Sequence, residues 1–115
     1  MFDQKSFVSH AGISLDWKIE CDDLTDEDLA TLAKLVANKV TFSDVHGIPS
    51  GGIRFANALR SYVSITGPRL LVDDVFSTGM SMREEYQRGD IGVVIFSRGI
   101  VELPTWITAI FECKV

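Results

Sequence analysis

Leu70-Leu71-Val72-Asp73-Asp74-Val75-Phe76-Ser77-Thr78-Gly79-Met80-Ser81-Met82 joins three unlike chemistries in thirteen residues. Leu70 to Val72 is a short apolar run of the kind a buried parallel strand needs, and the carboxylates of Asp73 and Asp74 stand where that strand should end. Ser77 to Ser81 then supplies a glycine, three hydroxyls and free backbone N–H groups at the predicted start of a helix, where the macrodipole favours an anion. Carboxylates accept hydrogen bonds from vicinal hydroxyls, and such a loop can hold a phosphate, so the stretch fits a sugar phosphate. An ordinary helix cap accounts for Ser77 or Thr78. It does not account for two aspartates on an apolar strand.

Two rival nucleotide motifs are excluded by the residues. A Walker A loop needs G-x-x-x-x-G-K-[ST], and Gly47-Ile48-Pro49-Ser50-Gly51-Gly52-Ile53 has no lysine or hydroxyl in the required place. The dinucleotide fingerprint G-x-G-x-x-G is absent. A phospho-accepting receiver domain also carries adjacent carboxylates at a strand end, but near its beginning and without a trailing Thr-Gly loop.

The acidic pair with its Thr-Gly loop resembles the signature of the type I phosphoribosyltransferases, which grip 5-phosphoribosyl 1-diphosphate (PRPP). The resemblance implies that Asp73 and Asp74 meet the ribose hydroxyls as the catalytic pair, and that Ser77, Thr78, Gly79, Met80 and Ser81 wrap the 5′-phosphate. Upstream, Pro49, Ser50, Gly51 and Gly52 let backbone N–H groups approach a ligand at the opening of another helix. This looks like the family's pyrophosphate loop, and Arg54 is a natural phosphate clamp because its planar guanidinium can give two hydrogen bonds. The plain alternative is a glycine turn followed by a surface arginine.

The N-terminal Phe7-Val8-Ser9-His10-Ala11-Gly12-Ile13-Ser14 looks like the hood segment of orotate phosphoribosyltransferases, with His10 where that family has a lysine. Val94-Ile95-Phe96-Ser97-Arg98-Gly99 resembles the family strand that helps to hold the base, with Ser97 where an aspartate is usual. His10, Lys18 and Arg98 are thus candidates for contact with the base, weighed against ordinary surface roles. In one respect the chain departs from the family: only nineteen residues separate Gly52 from Val72, and no lysine occurs between Lys39 and Lys114. A further strand and a mobile basic loop that closes over the reaction centre have no room there. Such a lid excludes water, so its loss bears on transfer more than on binding.

Around these motifs the chain reads as alternating α/β structure. Ile13 to Cys21 alternates apolar and polar residues, a half-exposed strand. Thr25 is an N-cap with Asp28 completing a variant capping box, Leu24 and Leu29 stand at the spacing of a hydrophobic staple, and Leu29, Leu32, Ala33, Val36 and Val40 form the inner face of the helix. A strand over 42–48, a helix over 53–62, a strand over 69–75, a helix over 78–87 and strands over 91–96 and 105–111 follow. This order predicts a mostly parallel sheet flanked by helices, with ligands beyond the C-terminal strand ends, preceded by a small hood. One domain over 1–115 is expected, with the hood in 1–22 and the core in 23–115.

At 115 residues with 46% hydrophobic content the chain can bury a core, although dimerisation to cover leftover apolar surface is expected to be open to so small an α/β protein. No apolar run reaches the ~20 residues of a membrane span, and the first residues lack a signal peptide's hydrophobic segment, which points to a soluble cytoplasmic protein without a membrane partner. Cys21 and Cys113 lack metal or redox spacing and read as free thiols. A net charge of −5 argues against nucleic-acid binding and also repels a free polyphosphate. Mg²⁺ carried by the substrate's phosphates, with Asp73 and Asp74 as its carboxylate contacts, is therefore the implied cofactor. The partners implied are PRPP and a nucleobase or nucleotide. The chemistry implied is displacement of pyrophosphate by a nitrogen nucleophile; the alternative is a regulatory module that binds PRPP or a nucleotide without turning it over.

Overall fold

The computed structural model describes residues 24–98 and 102–112. The Ile13–Cys21 strand, the hood, His10, Lys18 and both cysteines lie outside the described residues.

Helix α1, Asp26–Lys39, begins as its sequence dictates. The Thr25 side chain accepts from Asp28 N at 3.0 Å, and Asp28 Oδ2 accepts from Thr25 N at 3.0 Å, so the capping box closes in both directions. Leu24 and Leu29 are both buried beside it. Strand β1, Asp44–Gly47, is shorter than the expected 42–48. Phe42 is buried before the strand starts, and its carbonyl accepts from Ser64 N of the connection that passes alongside.

Helix α2, Gly51–Leu59, continues into a 3₁₀ turn, Arg60–Tyr62, and so starts two residues earlier than the apolar spacing alone indicates. Its buried residues Gly52, Phe55, Ala56 and Leu59 recur at i, i+3, i+4 and i+7, the stripe of a helix laid on a sheet. Strand β2, Arg69–Phe76, carries the acidic pair near its end.

Helix α3 spans only Met80–Glu85, against an expected 78–87. Gly79 stands at φ 80°, which keeps Ser77 and Thr78 out of the helix. At the other end Asp90 Oδ2 accepts from Gln87 N at 2.8 Å, closing a turn that stops the helix. Strands β3, Ile91–Ser97, and β4, Ile107–Glu112, complete the sheet.

The order is β1-β2-β3-β4, parallel throughout. Helices α1 and α2 cover one face through Val45, Leu70, Val72, Val93 and Ile95. On the other face Met82 of α3 packs with Leu71, Val94 and Ile107. The chain thus steps from β1 to β2 to β3 in one direction while its two linking helices lie on opposite faces. These two crossovers must have opposite hands, and one is left-handed against a strong general preference. The expectation of a parallel sheet holds.

Arg69 and Asp90, neither singled out by pattern, form a partly buried fork. Arg69 Nε and Nη2 reach Asp90 Oδ1 and Oδ2 at 3.1 and 2.6 Å, and Nη2 also donates to the Glu85 carbonyl at 2.9 Å. The guanidinium holds the Asp90 carboxyl below its usual range. This pair ties the start of β2 to the end of α3.

Candidate functional site

The ends of β1, β2 and β3 come together at one edge of the layered core, as ligand crevices do in parallel sheets. After β1 the chain passes through Pro49-Ser50, a cis peptide bond, into the first turn of α2. Ile48 N donates to the Val72 carbonyl at 2.8 Å and Gly52 N to the Ile48 carbonyl at 2.8 Å, so main-chain bonds fix this loop against β2. Gly51 lies directly on the second aspartate: a Cβ there would stand 2.1 Å from Asp74 Oδ2. A Cβ at Gly52 would stand 2.4 Å from the Val72 carbonyl oxygen. Only glycine allows the turn to approach β2 so closely.

The two aspartates occupy different surroundings. Asp73 Oδ1 accepts from Asp74 N and Asp74 Oδ1 from Val75 N, each at 2.8 Å, so both carboxylates are oriented by the main chain. Burial, and then the hydrogen bond with the neighbouring Asp74 carboxyl, push the Asp73 carboxyl up to about 7.

Beyond the strand, Asp73, Val75, Phe76, Ser77, Thr78, Gly79, Met80, Ser81 and Met82 line an open hollow of about 50 Å³. Among the described residues that line it there is no lysine or arginine. An anion there would meet N–H groups and hydroxyls rather than side-chain cations. Arg98 N donates to the Phe76 carbonyl at 3.1 Å, which brings the end of β3 to the root of the same loop.

Most of the residues singled out from the sequence and described here therefore converge: Pro49 to Gly52, Asp73, Asp74, the Ser77–Ser81 loop and the backbone of Arg98. Arg54 differs from expectation. Its Nη2 donates to the Leu24 carbonyl at 2.9 Å and to Asp26 Oδ1 at 3.1 Å, so its guanidinium is engaged at the start of α1 instead of turning to the glycine loop. The reason is the packing of α2 against α1, which puts an open carbonyl and a first-turn carboxylate within reach of Arg54.

Among the described residues no group of three or more His, Cys, Asp or Glu side chains could hold a metal ion, so the protein offers no closed cage there. Two adjacent carboxylates suit a hard cation that keeps waters and takes its remaining oxygens from a phosphorylated ligand. In the described residues no helix is long and apolar enough to cross a membrane.

The part of the site that pattern reading missed is Phe76. It is 1% exposed, and its ring lies under Gly79. An aromatic residue at a strand end carries no signal of that role until the following turn is seen to fold back over it.

Superposition on solved structures gives a match to UMP synthase of Leishmania donovani, with a TM-score of 0.62 at 19% identity. It covers 97% of this chain and 33% of that one, so the chain spans about a third of that protein's length. The likeness establishes an α/β fold shared with part of that protein. No family model and no curated relative matches the sequence.

Proposed function

We propose that the chain is a phosphoribosyltransferase of compact form, transferring ribose 5-phosphate from Mg-PRPP to a nitrogen base, a pyrimidine such as orotate being the nearest family precedent. The observation that carries this reading is the meeting of Gly51 with the Asp74 carboxylate beside the Ser77–Ser81 hollow. A glycine loop for pyrophosphate, a carboxylate pair for ribose hydroxyls and a phosphate loop then lie in the order of the parts of PRPP. The fold shared with UMP synthase supports the same reading.

In this proposal the base nitrogen attacks the anomeric carbon as the bond to the pyrophosphate oxygen breaks. Pyrophosphate leaves with the electron pair, and the nitrogen's proton passes to solvent or to the leaving group. The centre is oxocarbenium-like, and no covalent nucleophile on the protein is needed. Asp73 and Asp74 orient the ribose through its hydroxyls, Ser77 to Ser81 hold the 5′-phosphate, and the Pro49–Gly52 turn accepts the pyrophosphate. Magnesium bound to PRPP would offset the charge of the leaving group, and Asp73 and Asp74 are the carboxylates that would hold it. The base contacts assigned to His10, Lys18 and Arg98 belong to this proposal too.

A second reading, that the site binds PRPP or a nucleotide without turnover, is favoured by the lack of a cation among the described residues lining the hollow and by the engagement of Arg54 with α1. Incubation with Mg-PRPP and a panel of nucleobases, followed by mass analysis, separates the two. Nucleoside monophosphate and pyrophosphate in equal amounts support transfer. Tight calorimetric binding without product leaves the binding module. Asp74→Asn and Thr78→Ala should each weaken Mg-PRPP in a folded protein, by about ten-fold or more for Asp74. Unchanged titrations in both would place the ligand elsewhere.

A further inference from the structure

The Ser77–Ser81 loop has an unusual support. Gly79 adopts φ 80°, and a Cβ there would lie 2.5 Å from both Cε2 and Cζ of Phe76. The edge of the ring is therefore packed against the Gly79 backbone from below, filling the space directly under the turn. The ring itself is buried, in one cluster with Ile48, Leu71, Met82, Val94 and Ile107. Main-chain bonds hold the turn at its two ends, from Arg98 N to the Phe76 carbonyl at 3.1 Å and from Arg83 N to the Gly79 carbonyl at 3.0 Å, while between them Met80 N reaches Thr78 Oγ1 only at 3.5 Å. The glycine loop after β1 has its own two main-chain bonds of 2.8 Å, from Ile48 N and Gly52 N.

From this packing of the ring under Gly79 we infer that Phe76 is a positioning residue for the phosphate loop: its ring is the form over which Ser77 to Ser81 turn, and it sets how tightly the site holds a phosphate monoester. The inference rests on the phosphoribosyl reading above for the identity of the ligand, but the shape of the loop can be read without one. A flat, stiff ring has two side-chain torsions and presents a continuous edge. A leucine in its place leaves a void beneath Gly79, and the N–H groups and hydroxyls above lose their common direction. Phosphate recognition of this kind depends on several donors pointing at once. Affinity should therefore fall before stability does.

The test compares Phe76→Leu and Phe76→Met with the unaltered chain. Calorimetry with ribose 5-phosphate and, separately, with magnesium pyrophosphate measures the two loops independently. Amide hydrogen exchange over Ser77 to Ser81 in the ligand-free protein measures the turn itself. Expected for Phe76→Leu are a loss of about ten-fold for ribose 5-phosphate, less than about two-fold for magnesium pyrophosphate, and faster exchange at Gly79 and Met80. Phe76→Met, which refills much of the space with a flexible chain, should fall between. Equal weakening of both ligands would make Phe76 a general core residue and overturn the inference, as would an unchanged ribose 5-phosphate affinity in a folded Phe76→Leu protein. If the unaltered chain binds neither ligand, the phosphoribosyl reading fails, and the exchange data still decide: faster exchange in the turn upholds the role of Phe76, and unaltered exchange removes it.

Discussion

The Gly51 backbone rests on the Asp74 carboxylate so closely that a methyl group at Gly51 would stand 2.1 Å from Oδ2. The obstacle is the end of a side chain that can rotate, although rotation takes Asp74 Oδ1 away from Val75 N. Gly51→Ala should therefore cost about 1 kcal/mol of stability while displacing the carboxylate that the proposed function assigns to ribose. At Gly52 the obstacle is the Val72 carbonyl at 2.4 Å, which belongs to the central strand and cannot turn aside. Gly52→Ala should cost about 2–4 kcal/mol. Urea unfolding and Mg-PRPP calorimetry on both variants check this. A Gly51→Ala protein less stable than Gly52→Ala would reverse the argument.

Asp73 makes stability fall with rising pH. Its carboxyl is raised from 3.8 to about 7, so between those values the unfolded chain releases a proton that the folded chain keeps. The stabilisation it contributes is full below 3.8 and is lost as pH rises through about 7. Asn cannot ionise and escapes that loss. Asp73→Asn should be more stable than the unaltered protein at about pH 8, by on the order of 1–3 kcal/mol, and equal to it near pH 4. Denaturant titrations at the two pH values decide, and a gap that does not change with pH would count against it.

Asp90 behaves in the opposite sense. Arg69 holds its carboxyl below 3.8, so the stabilisation is present above that value and disappears as pH falls through the folded state's lower one. Asp90→Asn leaves the partly buried Arg69 guanidinium short of its charge partner. A loss of about 2–4 kcal/mol at neutral pH is expected, shrinking in acid. Thermal unfolding from pH 2 to 7 measures it.

The outer edge of β1 is covered by its own neighbours. Val45 N donates to Asp44 Oδ1 at 2.9 Å, and the Val45 carbonyl accepts from Arg60 Nη1 at 3.3 Å. A strand edge whose main-chain groups are taken up by charged side chains resists pairing with another chain. Replacing both Asp44 and Arg60 by Ala should increase concentration-dependent association, seen by sedimentation velocity. If the doubly substituted chain sediments as the original does, these side chains do not guard the edge.

Much of the architecture was legible because its signals are local. The capping box at Thr25 and Asp28, the apolar stripe of α1 and the hydrophobic run ending in two aspartates all act within a few residues of where they stand. The early start of α2 at Gly51 was not legible, since glycine has a low helix propensity and enters that turn for closeness to β2. The short α3 was not either, because its end is set by Asp90, held from Arg69 a strand away.

The sequence by itself determined the alternation of strands and helices, the parallel sheet and the residue types at its C-terminal ends, since periodicity and turn chemistry are written in consecutive residues. Only the tertiary structure decided that Arg54 turns to α1, that Phe76 underlies Gly79, that Arg69 pairs with Asp90, and that one crossover runs left-handed. Each of these depends on which surfaces meet when the layers pack, and on burial that raises one aspartate and a guanidinium that lowers another. Those are distances across the fold, and they do not exist until the chain has closed.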